Sequence, residues 1–280
     1  TIVRLYPLLL QNNTRFYNRI RDSISQTLSS CQKGIATSTT LEENSTMLVS
    51  ISATLCEMAQ LDLIRDVTDV ISWIQYLLSS SSVDDTTTTT TTNKNNLYQV
   101  QNDLVVYYAL QSLHYFIIAQ ELDFRTVLQV IRNKLVQWQN VEDLIRLDDL
   151  VLEALVILLG DGHIISQEKD ADMVLPSHIM NAVNVLIELG LFLTSEEEEE
   201  DAKLSSKSQQ RILSSIYKSL SCYSTFYLGI DADAIRSSVA AFKGRGEGEE
   251  KEEIKESAEV IRYKSLKTLV MNGLTRNNLF

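Results

Sequence analysis

Asp148, Asp149 and Glu153 form the densest group of side chains that could do chemistry, three carboxylates within six residues. Carboxylates grouped in this way suit a hard divalent cation such as magnesium, which takes oxygen ligands. A magnesium-dependent enzyme built on helices would use them with a second acidic pair on a facing helix and with basic residues for an anionic substrate. Neither is legible at a plausible place in the chain. Acids at the start of a helix are also favoured by the helix dipole, and that role accounts for these residues as surface acids.

Asp161, His163, Asp170 and Asp172 make a second group with metal-binding side chains. Their spacing matches no standard ligand pattern, and Gly160-Asp161-Gly162 reads as the stop of a helix. His114 falls inside the most apolar segment and reads as a satisfied, partly buried histidine. His178 follows Ser177 at a helix start. Triads are spatial, and nothing in the order of these residues points to one. Gly244-Arg245-Gly246-Glu247-Gly248 has the look of a phosphate loop, but it lacks a preceding strand and a Gly-Lys-Ser/Thr ending. Tyr107, Tyr108, Tyr115 and Phe116 could line a groove for a peptide, although aromatic residues in such a run are more often core. No catalytic, cofactor-binding or metal-ligating set is therefore assigned, and no cofactor is expected.

The elements that carry these residues read as helices. The chain has 280 residues with only 2 prolines and 9 glycines, where average usage gives about 14 and about 20. Strands need frequent tight turns, and those need Gly, Pro and Asn-Gly pairs. Apolar residues recur at helical spacing in Arg15–Lys33, Glu42–Ala59, from Asp62 as a cap to Leu78, Leu97–Gln120, Phe124–Trp138, Glu142–Leu159, Ser177–Leu193 and Gln209–Tyr227. Ile2–Gln11 is a shorter apolar segment in which Pro7 permits a kinked helix at most. His163–Pro176 reads as a polar connection. Further helices are expected over Ala232–Phe242 and about Glu252–Asn272, for about ten or eleven in all. Stretches 79–96, with seven consecutive threonines, 194–206 and 243–251 read as disordered or flexible loops. The whole of 1–280 reads as one helical region, expected to be a fragment of a longer chain because it begins at Thr1 already in a helical pattern.

Charge is uneven. The net value is −12, and Glu196–Asp201 together with Glu247–Glu256 carry −6 and −4 of it. The remaining body is almost neutral. No basic face is legible, so no nucleic acid is expected as a partner. The apolar runs Leu150–Leu159 and Val183–Leu193 are too short to span a bilayer, and no membrane insertion is expected. Cys31, Cys56 and Cys222 lie far apart and read as buried, reduced thiols, which suits a cytoplasmic or nuclear protein.

Helical hairpins of this length give about 40 residues per unit. The tetrapeptide Asp62-Leu63-Ile64-Arg65 recurs 81 residues on as Asp143-Leu144-Ile145-Arg146, close to two units, and each copy reads as the opening of an apolar helix. On these features the chain resembles armadillo/HEAT-type α-solenoids over most of its length. The resemblance implies a non-enzymatic scaffold or adaptor subunit that binds other proteins. Two other readings stand beside it. One is the magnesium-dependent all-α enzyme, since Asp148-Asp149 resembles the aspartate-rich patch of prenyl-chain enzymes. The other is a trafficking or nuclear-transport protein whose acidic loops meet basic cargo.

Overall fold

A computed structural model describes residues 2–33, 38–79, 95–167, 176–194, 206–223 and 264–269. They are helices and the turns between them, with no strand among the described residues, so the fold is all-α. The acidic run 196–201, most of the threonine-rich stretch and 224–263 lie outside the described residues, as do Asp170, Asp172 and Gly244–Gly248. The chain divides into two compact units, residues 1–161 and 162–280.

The first unit opens with a 3-10 turn, η1 (Ile2–Leu5), that runs into α1 (Tyr6–Asn12). Pro7 lies in the first turn of α1 rather than at a kink. Its missing N–H has no helical partner to lose there. A second 3-10 turn, η2 (Thr14–Phe16), follows, with Asn13 accepting the Arg15 N–H at 3.0 Å. Then come α2 (Tyr17–Lys33), α3 (Ser38–Gln60), α4 (Val67–Ser79), α5 (Asn95–Ile118), α6 (Phe124–Lys134), α7 (Val141–Leu144) and α8 (Asp149–Gly160). α2 buries Tyr17, Ile20, Ile24 and Leu28, one face of a 3.6-residue period. α6 starts at Asp123, whose carboxylate accepts the Thr126 N–H, and buries Phe124, Val127, Leu128 and Ile131.

α5 lies between α3 and α8, its two most extensive neighbours, and α4 packs on α5, α6 and α3. Ile51 and Leu55 of α3, Leu110 and Leu113 of α5, and Leu152 and Leu155 of α8 are fully buried in this row. Each such side chain contributes about 1.5–3 kcal/mol by leaving water.

Three expectations from periodicity need correction. Asp62 does not cap α4. It is the left-handed residue (φ 53°) that ends α3, with its N–H donated to Ala59 O and the Leu63 N–H donated to Met58 O, a Schellman turn. Gln120 (φ 59°) ends α5 in the same way, through Ile117 O and Phe116 O. The cap of α4 is Asp66, which accepts the Thr68 N–H at 3.0 Å. Second, Glu142–Leu159 is two helices, because Asp148 takes an extended conformation and starts α8 afresh. The repeated tetrapeptide accordingly opens no helix in either copy. It forms the turn after α3 in one copy and the end of α7 in the other. Third, α6 stops at Lys134, and Trp138 turns back to donate its indole N–H to Leu128 O at 3.2 Å.

The second unit holds α9 (Gly162–Gln167), α10 (Ser177–Thr194), α11 (Ser206–Ser221) and a helical turn over 264–269. The segment expected to be a polar connection thus begins as a helix. α10 packs on α9 and α11. Taken whole, its 18 residues are long and apolar enough to cross a membrane, unlike the run Val183–Leu193 within it, and ten of them are buried in this unit. Gly190 lets Leu269 approach closely on that face: a Cβ there would stand 2.8 Å from Leu269 Cδ1, and the leucine side chain would have to shift. Tyr217 of α11 donates its hydroxyl to Leu269 O at 2.9 Å, and the Gln209 amide donates to Leu193 O.

Candidate binding face on helix α5

α5 divides its circumference sharply. Val105, Val106, Ala109, Leu110, Leu113, Phe116 and Ile117 are buried. Tyr107, Tyr108, Gln111, His114 and Tyr115 are half-buried and Ile118 is exposed. Spacings of three and four place this second set on one stripe of the helix. Phe116 is thus core, whereas the three tyrosines belong to the outward face.

Neighbouring helices frame the stripe. Burial raises the Tyr107 phenol above its ordinary value, and the proximity of Cys56 from α3 and Glu153 from α8 adds to it. Tyr115 is raised for the same first reason, with Cys56 again beside it. Tyr107 and Tyr108 meet edge to face at 5.3 Å between ring centres. Cys56 itself is pushed up to about 11, chiefly by burial; Glu57 adds to the rise and Arg4 opposes it. Such a thiol stays protonated near neutral pH and is a poor nucleophile.

At the lower end of the stripe His114 Nδ1 donates to Asp161 Oδ2 at 2.7 Å, with the side chains 18% and 6% exposed. The imidazole also leans on Tyr115 at 5.3 Å. A buried carboxylate is stabilised by such a charge-assisted donor. Among the described residues no hydroxyl or thiol is hydrogen-bonded to the other ring nitrogen of His114. The couple therefore locks the end of α5 to the end of α8.

No family model, curated protein or solved structure matches the chain. The site is thus read from its own geometry.

The acidic cluster is divided among different tasks. Asp148 Oδ1 accepts the Leu150 N–H at 2.9 Å as the N-cap of α8. Asp149 lies in the first turn of that helix. Glu153, one turn further on, faces Tyr107. Among the described residues no three His, Cys, Asp or Glu side chains come together in a way that could hold a metal ion. Asp161 meets His114, while His163 lies in the second unit with its ring 6.0 Å from that of Tyr223. His178 is the second residue of α10. The cysteines are less buried than their helical context implied: Cys31 and Cys56 are half-buried and Cys222, just past α11, is exposed. The His114–Asp161 couple spans 47 residues of sequence, so no local pattern could have announced it. The stripe was missed, because Tyr107, Tyr108 and Tyr115 read with Phe116 as core; the signal that could have found it is their spacing with Gln111, His114 and Ile118.

Proposed function

We propose that the chain is a non-enzymatic scaffold or adaptor, built of stacked helical hairpins, that takes a segment of a partner protein on the outward face of α5. One observation carries the reading: three half-buried tyrosines lie on one stripe of a helix that neighbours flank on both sides. Tyrosines held in this way offer apolar area and a hydroxyl at little cost in side-chain entropy, which is what binding surfaces favour. The solenoid part of the reading is supported by the side-by-side packing of α3, α5 and α8, with the intervening α4 packed behind on α5 and α3. Stacked hairpins pack in that order and leave one face open.

The test is affinity purification of the tagged full chain from its native cells, beside the Tyr107→Ala/Tyr108→Ala/Tyr115→Ala chain. The expected result is a stoichiometric protein partner whose recovery falls about tenfold in the variant, with thermal melting showing both chains folded. Recovery indifferent to the three substitutions would remove the α5 face from the reading. A partnerless chain whose melting temperature rises with magnesium would replace it by the enzyme reading through Asp148, Asp149 and Glu153.

A further inference from the structure

The segment η1–α1 is apolar on two opposite faces. Val3, Pro7 and Leu10 point inward and are buried against the rest of the first unit, and the Thr54 hydroxyl of α3 donates to Val3 O at 3.3 Å. The opposite face carries Ile2, Leu5, Leu8 and Leu9, which are 76%, 54%, 57% and 44% exposed. η2 packs on α1 and adds Phe16, also exposed. Single exposed leucines are ordinary. Five large apolar side chains within fifteen residues of a doubly apolar helix are not, because a helix hydrophobic all round belongs between two neighbours.

Charge specifies the missing neighbour. Residues 1–21 contain Arg4, Arg15, Arg19 and Arg21 and no acid, in a chain of net charge −12. Arg4 is paired with Glu57 at 3.5 Å, and Arg21 with Asp22 and Asp69. Arg15 and Arg19, next to and one turn beyond Phe16, are exposed and make no ion pair among the described residues. We propose that the outer face of η1–α1 is a docking site for an amphipathic helix of a partner protein, one whose apolar stripe is flanked by carboxylates. The exposed positions 2, 5, 8 and 9 follow the spacing of a ridge, roughly 12 Å long, that seats along about two turns of a facing helix. The flanking acids of that helix meet Arg15 and Arg19. The proposal rests on the protein-binding reading of the chain but on a different surface.

The probe is a synthetic amphipathic helix of about 18 residues with a leucine stripe flanked by glutamates, titrated against the full chain by fluorescence anisotropy. A control peptide carries lysines in place of the glutamates. The glutamate peptide is expected to bind at least about tenfold more tightly than the lysine peptide, and Leu5→Asp/Leu8→Asp to cost about tenfold or more. Both side chains are exposed, so that variant keeps its melting temperature. As an independent check, Arg15→Glu/Arg19→Glu is expected to reverse the preference between the two peptides. The Tyr107→Ala/Tyr108→Ala/Tyr115→Ala chain keeps its affinity here, so failure of this site and failure of the α5 face are told apart. Equal affinity for the two peptides, no binding, or binding indifferent to Leu5→Asp/Leu8→Asp would overturn the proposal. So would tighter association with phosphatidylserine vesicles than with the peptide, or a dimer in sedimentation that Leu5→Asp/Leu8→Asp dissolves.

Discussion

α5 and η1–α1 both send apolar side chains into the first unit, but their outward faces differ in kind. α5 turns tyrosines, a glutamine and a histidine outward, and two helices flank them. η1–α1 turns aliphatic side chains outward, and nothing among the described residues covers them. The first surface tolerates water; the second is a surface that water opposes. Apolar content alone does not tell the two apart, since each segment is rich in Leu, Ile, Val and aromatics. What separates them is whether the residues left over after burial carry polar tips.

The sharpest way to break the comparison is to truncate a leucine on each side of it. Leu110→Ala in α5 is expected to cost about 3–4 kcal/mol, the usual loss for a fully buried leucine that leaves a cavity. Leu8→Ala on the open face of α1 should fall within about 0.5 kcal/mol of the parent. Urea melts of both variants read the difference; a large loss at Leu8 would mean that its face is already covered. Next in size is His114, an outward residue of α5 whose bond to Asp161 is partly buried. His114→Ala removes the donor that faces a nearly buried carboxylate, and about 2 kcal/mol should disappear. His114→Asn, which can still donate, should lose less. Equal stability of all three chains would show the couple to be surface decoration.

A smaller effect sharpens the comparison at the helix ends. Asp62 holds a left-handed conformation that favours glycine by about 1 kcal/mol. Asp62→Gly should stabilise the first unit by up to that amount, read as a rise in the urea midpoint. A pH-dependent effect lies at Cys56, which has Arg4 and Tyr107 in its electrostatic surroundings. Its thiol is raised from 9.0 to about 11, so the folded state favours the protonated form. That contribution is whole below about pH 9 and is lost as the pH climbs from about 9 towards about 11. Cys56→Ala should flatten this part of the alkaline stability curve, and an unchanged slope would contradict the burial of the thiol.

Much of the fold was readable because helical spacing is local. The buried faces of α2 and α6 follow from it directly, whereas α4 turns Val70, Trp73 and Leu77 inward and α5 turns outward tyrosines that read as core. The errors came where backbone chemistry overrode the pattern. Asp62 and Asp148 are both acids at a helix boundary, and spacing cannot say that one ends a helix in the left-handed region while the other begins one as a cap. The continuous apolar pattern across Glu142–Leu159 hid that break. The face around Tyr107 was only half legible: its own residues were spaced for it, but Cys56 and Glu153 arrive from other helices, and His114 meets Asp161 only in three dimensions. The arginines near Phe16 went unread because a sum over the whole chain conceals a short basic segment.

The close fit of Leu269 against Gly190 has a consequence for how this chain is made. α10 is complete at Thr194, while Leu269 is synthesised about 75 residues later, roughly 4–15 s at ordinary ribosomal speeds. Through that interval a helix apolar enough for a membrane waits for one of the side chains that covers it. A stop before residue 269 would leave that face of α10 without the Leu269 side chain.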